Sequence, residues 1–224
     1  MPFARVYVLR HGETQENREM IIQGQLDTEL NEAGVEQVRL VADALRSVHF
    51  DAAHSSDLTR ALKTGQMILA HRGDIQIRED KDLRERCFGD LQGKKRGPEF
   101  RAAVALDKTA EPADAFTARA TAWWKKAILQ QTLGLPPREA PYNVLVTSHG
   151  AYIATLLMGL IGSGKVRCAQ GVVIRRVPNT SVTIIEVESD GSGTIVQFGD
   201  VGHLTKKLES DMVDNVDEAV GVTA

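Results

Sequence analysis

Two apolar runs in this chain end in the same grammar. Residues 6–9, Val-Tyr-Val-Leu, break into Arg10-His11-Gly12, and residues 143–147, Asn-Val-Leu-Val-Thr, break into Ser148-His149-Gly150. Short apolar runs closed off by charge and glycine read as buried strands. After Asn31 the period changes: Val35, Val38, Val41, Ala42 and Leu45 recur at helical spacing and predict a helix capped by Asn31. Residues 50–56 predict a second strand, and 57–70 a second helix with Ser56 or Asp57 at its cap. A short strand is expected at 75–77, mostly helix over 113–133, and a helix over 151–161 directly behind His149. Further on, Pro178 to Ser181 leads into a Val/Thr/Ile strand ending near Val187. The turn Asp190-Gly191-Ser192-Gly193 then predicts an antiparallel pairing with a strand over 194–198. Between the first strand and the first helix, residues 12–30 are expected to form a long irregular loop, a length uncommon without a function. Residues 93–112 turn basic and irregular and read as a lid-like insertion.

Length then limits the organisation. At 224 residues the chain is long for one domain and short for two, so a single α/β domain over 1–208 is expected, with the insertion near 93–112 and an acidic tail over 209–224. Lys plus Arg number 27 against 30 Asp plus Glu, a net charge of -3, which argues against a nucleic-acid partner held by bulk positive charge. Any anion site is therefore local. Cys87 and Cys168 make neither a disulfide framework nor a metal site, and no removable signal peptide is expected before His11, so a cytoplasmic location is expected. The apolar stretch 154–161 falls well short of the roughly 20 residues that span a bilayer, so no membrane partner is expected. No internal repeat or heptad is present.

The strand ends are where chemistry is expected, because open α/β sheets bind ligands there. With His11 at such an end, the Arg10 cation disfavours a protonated imidazole and keeps a lone pair available to attack phosphorus. Gly12 removes a side chain that would block approach. An isolated His-Gly would equally suit a strand leaving into a polar turn; the second such end, at His149, changes that weighing. His149 would sit beside the amide N–H groups opening the helix behind it. Arg60, in the first turn of its helix, could offer a guanidinium fork to a phosphoryl group, or could be a solvated surface residue. Glu85, between Arg84 and Arg86, fits a surface ion pair or a buried acid. Trp123 and Trp124 read as core or interface aromatics.

Taken together, Arg10-His11-Gly12-Glu13-Thr14 with Asn17, Ser56-Asp57-Leu58-Thr59-Arg60, Leu83-Arg84-Glu85 and Ser148-His149-Gly150 resemble the motifs of the histidine phosphatase superfamily, in family order. Pro178-Asn179-Thr180 and residues 200–204 extend the likeness. Within the superfamily the chain most resembles the TIGAR-type fructose-2,6-bisphosphatases, through Ile21-Ile22-Gln23-Gly24-Gln25, Leu83-Arg84-Glu85-Arg86 and His149-Gly150-Ala151-Tyr152. The resemblance implies an open, mostly parallel sheet with one antiparallel edge strand and helices on both faces. It implies a phosphohistidine on His11, with Glu85 protonating the leaving oxygen and Arg10, Arg60, His149 and the Asn17 amide neutralising the phosphoryl oxygens, without metal or cofactor. By family position Gln23, Gly24, Gly150 and Asn179 contact phosphate or substrate body. Lys94, with Lys95 and Arg96, would hold a second phosphate or form a solvated turn. One departure is visible: where the family often carries Pro-Gly-Gly-Glu-Ser, this chain has Glu111-Pro112-Ala113-Asp114-Ala115, with Asp114 as the candidate replacement for the glutamate. The expected activity is a phosphatase for a small phosphorylated metabolite, a sugar bisphosphate such as fructose-2,6-bisphosphate. A phosphoglycerate mutase and a non-catalytic phosphoanion-binding scaffold are the alternatives, and the oligomeric state is left open.

Overall fold

A computed structural model describes residues 1–72 and 75–204; the acidic stretch 209–224 lies outside the described residues. The chain runs through β1 (Ala4–Arg10), α1 (Gln15–Arg18), α2 (Glu32–Ala44), β2 (Ala52–Ser55), α3 (Thr59–Leu69) and β3 (Ile77–Glu79). It continues with α4 (Phe100–Leu106), α5 (Ala113–Trp124), which widens into a π-helical stretch over Lys125–Thr132, and then β4 (Tyr142–Ser148) and α6 (Gly150–Gly162). The last elements are β5 (Val166–Cys168), β6 (Val182–Val187) and β7 (Gly193–Asp200).

The strands form one sheet in the order β3-β2-β4-β1-β6-β7-β5. Along β1 the side chains alternate between faces: Val6 and Val8 join a core with Phe116, Trp123, Trp124 and Leu156, whereas Tyr7 and Leu9 join another with Val38, Val41 and Ile68. That alternation explains why the run is apolar throughout, since a strand covered on both faces has no wet side. Helices α5 and α6 thus cover one face, and α2 and α3 the other. The sheet is mostly parallel, as expected; its antiparallel strand is β6, which pairs with β1 on one side and β7 on the other. Beyond β7 stands β5, parallel to it.

Several details depart from the sequence pattern. The expected loop over 12–30 contains α1, closed by a reciprocal cap in which Thr14 Oγ1 accepts from the Asn17 N–H and Asn17 Oδ1 from the Thr14 N–H. Neither Ser56 nor Asp57 caps α3. Its cap comes from the distant Asp27, whose carboxylate accepts from the Thr59 N–H (2.7 Å) and hydroxyl (2.9 Å). The insertion at 93–112 includes α4, whose Phe100 and Val104 pack with Ile22, Phe88 and Ala110 in a small core of their own. No helix among the described residues is long and apolar enough to cross a membrane.

Candidate active site

Register brings the two His-Gly ends together. β1 and β4 are adjacent and parallel with Arg10 opposite Ser148, so His11 and His149 leave the sheet side by side. The His11 N–H donates to the Ser148 carbonyl (2.9 Å), and the ring centroids lie 5.2 Å apart. The chain then diverges, through α2 to one face and α6 to the other, which opens a crevice at the strand ends.

Both imidazoles are buried. His11 Nδ1 lies 2.7 Å from the Gly12 carbonyl, which requires the ring proton on Nδ1. In the neutral ring this leaves Nε2 without a proton, and it is buried with no hydrogen-bond partner among the described residues. Burial first, then the Arg60 and Arg10 charges, hold the His11 pKa well below the usual histidine range, against the opposing Gly12 hydrogen bond. His149 is pushed down in the same way, by burial and then by Arg60, His11, Arg10 and Arg119. Its Nε2 meets Ser56 Oγ at 2.9 Å, and its Nδ1, also buried, has no hydrogen-bond partner among the described residues.

Two arginines with no exposed surface complete the positive wall. Arg10 Nη1 donates to the Val177 carbonyl (2.8 Å). Arg60 Nη1 and Nη2 donate to the carbonyls of Leu26 and Gly24, both at 2.7 Å, so the loop after α1 anchors this guanidinium and Asp27 ties the same loop to the start of α3. Gly24 has φ +53°, a backbone conformation that favours glycine, and a Cβ there would press on the Gln92 side chain and stand 3.0 Å from the Arg86 carbonyl oxygen. Close approach also explains Gly150, where a Cβ would stand 3.2 Å from the Arg10 guanidinium carbon; its bareness admits Arg10 beside the start of α6. Gly12 corrects an expectation. What its Cβ would meet is the Gly34 carbonyl (2.7 Å) and Val38, so it admits α2 and does not clear a path for ligand.

Around this wall lie neutral donors. Asn17 Oδ1 is engaged within the α1 cap and Gln23 Oε1 accepts from Thr28 (2.6 Å) and Thr14 (3.0 Å). In each amide the nitrogen is buried without a hydrogen-bond partner among the described residues. Asn179 Nδ2 donates to the His11 carbonyl (2.9 Å), so this residue also fixes the backbone under the imidazole. Glu85 has no exposed surface; its Oε1 accepts from the Arg86 N–H (2.8 Å) and its Oε2 from the Ala151 N–H at the start of α6 (3.0 Å). The surface-pair alternative for Glu85 is excluded: Arg84 turns to Asp57 (2.7 and 2.6 Å) and Arg86 to the Glu111 carbonyl. Lys94 is exposed, and its carbonyl accepts from the Ile22 N–H (2.9 Å). Asp114 is exposed and accepts only locally, from the Ala115 N–H; Glu111 is the carboxylate that packs inward, against Arg119. Sequence reasoning missed Ser56 as the partner of His149, and also Asp27 and the Glu111–Arg119 pair. Only Thr14-x-x-Asn17 carried a readable signal, that of a helix cap.

A neutral imidazole with a bare nitrogen, a second imidazole, two buried guanidinium groups and a buried carboxyl thus meet at one sheet end, a set whose chemistry suits a phosphoryl group. The chain belongs to the histidine phosphatase superfamily (branch 1), whose profile matches residues 6–201. It is 33% identical over 216 residues to phosphoglycerate mutase-like protein 4 of Arabidopsis thaliana, covering 90% of this chain and 87% of that protein. A broad-specificity phosphatase of Saccharomyces cerevisiae is 30% identical over 210 residues, 89% of this chain and 87% of its own. The fructose-2,6-bisphosphatase TIGAR of Mus musculus is 43% identical over 98 residues, 42% of this chain and 36% of that protein. Among solved structures, a phosphoglycerate mutase from Bacillus anthracis superposes with a TM-score of 0.74 at 29% identity, over 89% of this chain and 94% of that one. The protein is a phosphoric monoester hydrolase of this superfamily, which sets aside the scaffold alternative.

Proposed function

We propose that the protein hydrolyses a small phosphorylated metabolite in two phosphoryl transfers through His11. The observation that carries the reading is the bare His11 Nε2: burial and the arginine charges favour a neutral ring, and the Gly12 carbonyl takes its one proton at Nδ1. In the first transfer Nε2 attacks phosphorus, the ester P–O bond breaks, and the leaving oxygen takes a proton from the Glu85 carboxyl. In the second, water gives a proton to the Glu85 carboxylate and attacks phosphorus, and the P–N bond breaks to restore neutral His11. Arg10 and Arg60 supply positive charge to the oxygens that gain negative charge in flight, and the Asn17 and Gln23 amides and His149 Nδ1–H supply neutral donors. Ser56 donating to His149 Nε2 would keep that proton on Nδ1.

For the substrate we put a sugar bisphosphate first, with fructose-2,6-bisphosphate as the example. Its support is the partial likeness to the TIGAR enzyme and the basic run Lys94-Lys95-Arg96, which lies against the strand-like residues just before Gln23 and Gly24. In this reading Lys94 meets the second phosphate, Gln23 and Asn179 lie near the first, and Gly24 and Gly150 act by giving room to their neighbours. The named likeness to a phosphoglycerate mutase favours isomerisation as a second reading. The experiment is release of phosphate from p-nitrophenyl phosphate, followed by comparison of kcat/KM across sugar bisphosphates, phosphoglycerates, nucleotides and phosphopeptides. Quenching without acid should trap an alkali-stable, acid-labile phosphoenzyme in the wild type and none in His11→Ala. A His11→Ala protein of normal activity would end the proposal.

A further inference from the structure

Between β3 and α4 the segment carrying Glu85 has only two 3₁₀ turns, at Lys81–Leu83 and Gly89–Leu91, with Glu85 in the irregular stretch between them, so its carboxyl must be held in register from outside. Arg119, on α5, reaches into this segment. Its Nη1 donates to the carbonyls of Asp82 (2.8 Å) and Arg84 (2.9 Å), and its Nη2 to that of Glu85 (3.3 Å). The guanidinium is itself fixed by a two-pronged pair with Glu111, Nε to Oε1 at 2.9 Å and Nη2 to Oε2 at 2.8 Å. Glu111 grips the far side of Glu85. Its Oε2 accepts from the Cys87 N–H (3.2 Å), its own N–H donates to the Cys87 carbonyl (2.8 Å), and its carbonyl accepts from Arg86 Nε (2.8 Å).

The pair is largely shielded, with side-chain exposures of 17% and 16%, and the guanidinium lies over the Phe116 and Tyr152 rings at 5.0 and 5.8 Å. Shielding makes these hydrogen bonds count for more than they would on a wet surface. The contacts are also directional: they go to backbone carbonyls on both sides of one residue, a pattern that a flat fork can satisfy and a lysine point charge cannot.

We propose that Arg119, fixed by Glu111, is a positioning residue that sets the placement of the Glu85 carboxyl at the leaving-group oxygen. The inference rests on the reading of Glu85 as the proton donor. Acid assistance is sensitive to placement, since proton transfer needs the carboxyl within hydrogen-bond reach of the oxygen it protonates. A loosened segment therefore damages substrates with poor leaving groups and spares those whose leaving group departs unaided.

The test is single-turnover phosphoenzyme formation with p-nitrophenyl phosphate and with glycerol phosphate, in the wild type, Glu85→Gln, Arg119→Lys, Glu111→Gln and the Glu85→Gln/Arg119→Lys double variant. Arg119→Lys and Glu111→Gln should slow formation from glycerol phosphate by about tenfold or more, part of the ~10²–10⁴-fold that acid–base assistance supplies. Formation from p-nitrophenyl phosphate should stay close to the wild-type rate. In the Glu85→Gln background Arg119→Lys should cost nothing further with glycerol phosphate, because a residue acting through another falls silent once that other is gone. Equal losses on both substrates, or losses that add in the double variant, would return Arg119 to a purely structural ion pair. Should Arg119→Lys fail to fold, the near-isosteric Glu111→Gln carries the same comparison. Absence of a phosphoenzyme in the wild type would instead overturn the reading of His11 and this proposal with it.

Discussion

His11 and His149 share a constraint that pH can interrogate. Each is buried among arginine charges, and each has a pKa held well below the usual histidine range. The sign follows directly: a depressed pKa means the ring stays neutral as pH falls through 6.5, the ordinary value, and accepts a proton only in stronger acid. Nitrogen-detected NMR of the imidazoles should therefore show neither ring titrating near pH 6.5, with His11 protonated at Nδ1 throughout. A midpoint near the ordinary value for His11 would mean that burial and Arg60 do not control it. At this scale much was legible in the sequence, because a strand that ends in His-Gly announces itself locally and does so twice. What escaped was every residue whose meaning is its partner. Ser56 looks like any strand-end serine until β2 is placed beside β4, and Gly150, assigned to substrate contact by family position, shows a packing reason only when Arg10 is seen beside its Cα. Glu111 and Arg119 stand eight positions apart across a proline, with no spacing rule to link them to Glu85. Asp114 drew attention only because it is the acidic residue nearest the family pattern in order, and order is not packing.

Among the elements, β2 carries a second titrating group with a different consequence. His54 is 5% exposed, sits edge-on against Trp123 with ring centroids 5.6 Å apart, and has its pKa lowered to about 4 by burial and then by Arg78, against Asp80. Between the unfolded value near 6.5 and about 4 the unfolded chain holds a proton that the folded chain refuses, so stability is present above that window and declines as pH falls through it. Unfolding by urea should show this histidine contributing roughly 2 kcal/mol of the stability lost between about pH 7 and about pH 5, and His54→Gln should flatten the slope by that amount. An unchanged slope would place the titration elsewhere. Long periodic elements were legible in the sequence, as in α2, where Val38 and Val41 meet the core as their spacing predicts. Short ones were not. β5 has three residues with Arg167 exposed, and α1 has four, too few for a period of 2 or 3.6 to register. The start of α3 was misplaced because its cap, Asp27, comes from a loop far away in sequence. The place of β6 within the sheet, between β1 and β7, is a property of tertiary order and leaves no trace in the strand itself.

The whole molecule bears on the choice between hydrolysis and isomerisation. A mutase must keep water from its phosphohistidine until the same phosphoryl group returns to the other hydroxyl, which requires enough chain to seal the site. Here the interval between Glu85 and His149 is mostly committed to the core. Phe116, Trp123, Trp124 and Ile128 of α5 and its π-helical continuation are buried under the sheet, and β4 is one of its central strands. What remains for a cover is α4 and its flanks, seven helical residues closed on a small cluster of Ile22, Phe88, Phe100, Val104 and Ala110, with Leu106 82% exposed. Against this stands Glu85-Arg86-Cys87-Phe88-Gly89-Asp90-Leu91-Gln92-Gly93, which resembles the mutase segment around the same glutamate. The cover weighs more, because a shared local segment need only aim the acid, whereas the lifetime of a phosphohistidine depends on excluding water. We therefore expect 3-phosphoglycerate with a trace of 2,3-bisphosphoglycerate to yield free phosphate at least as fast as 2-phosphoglycerate, both followed in the same reaction. Isomer accumulating well ahead of phosphate would show that this short cover suffices to exclude water, and would move the protein to the mutase reading.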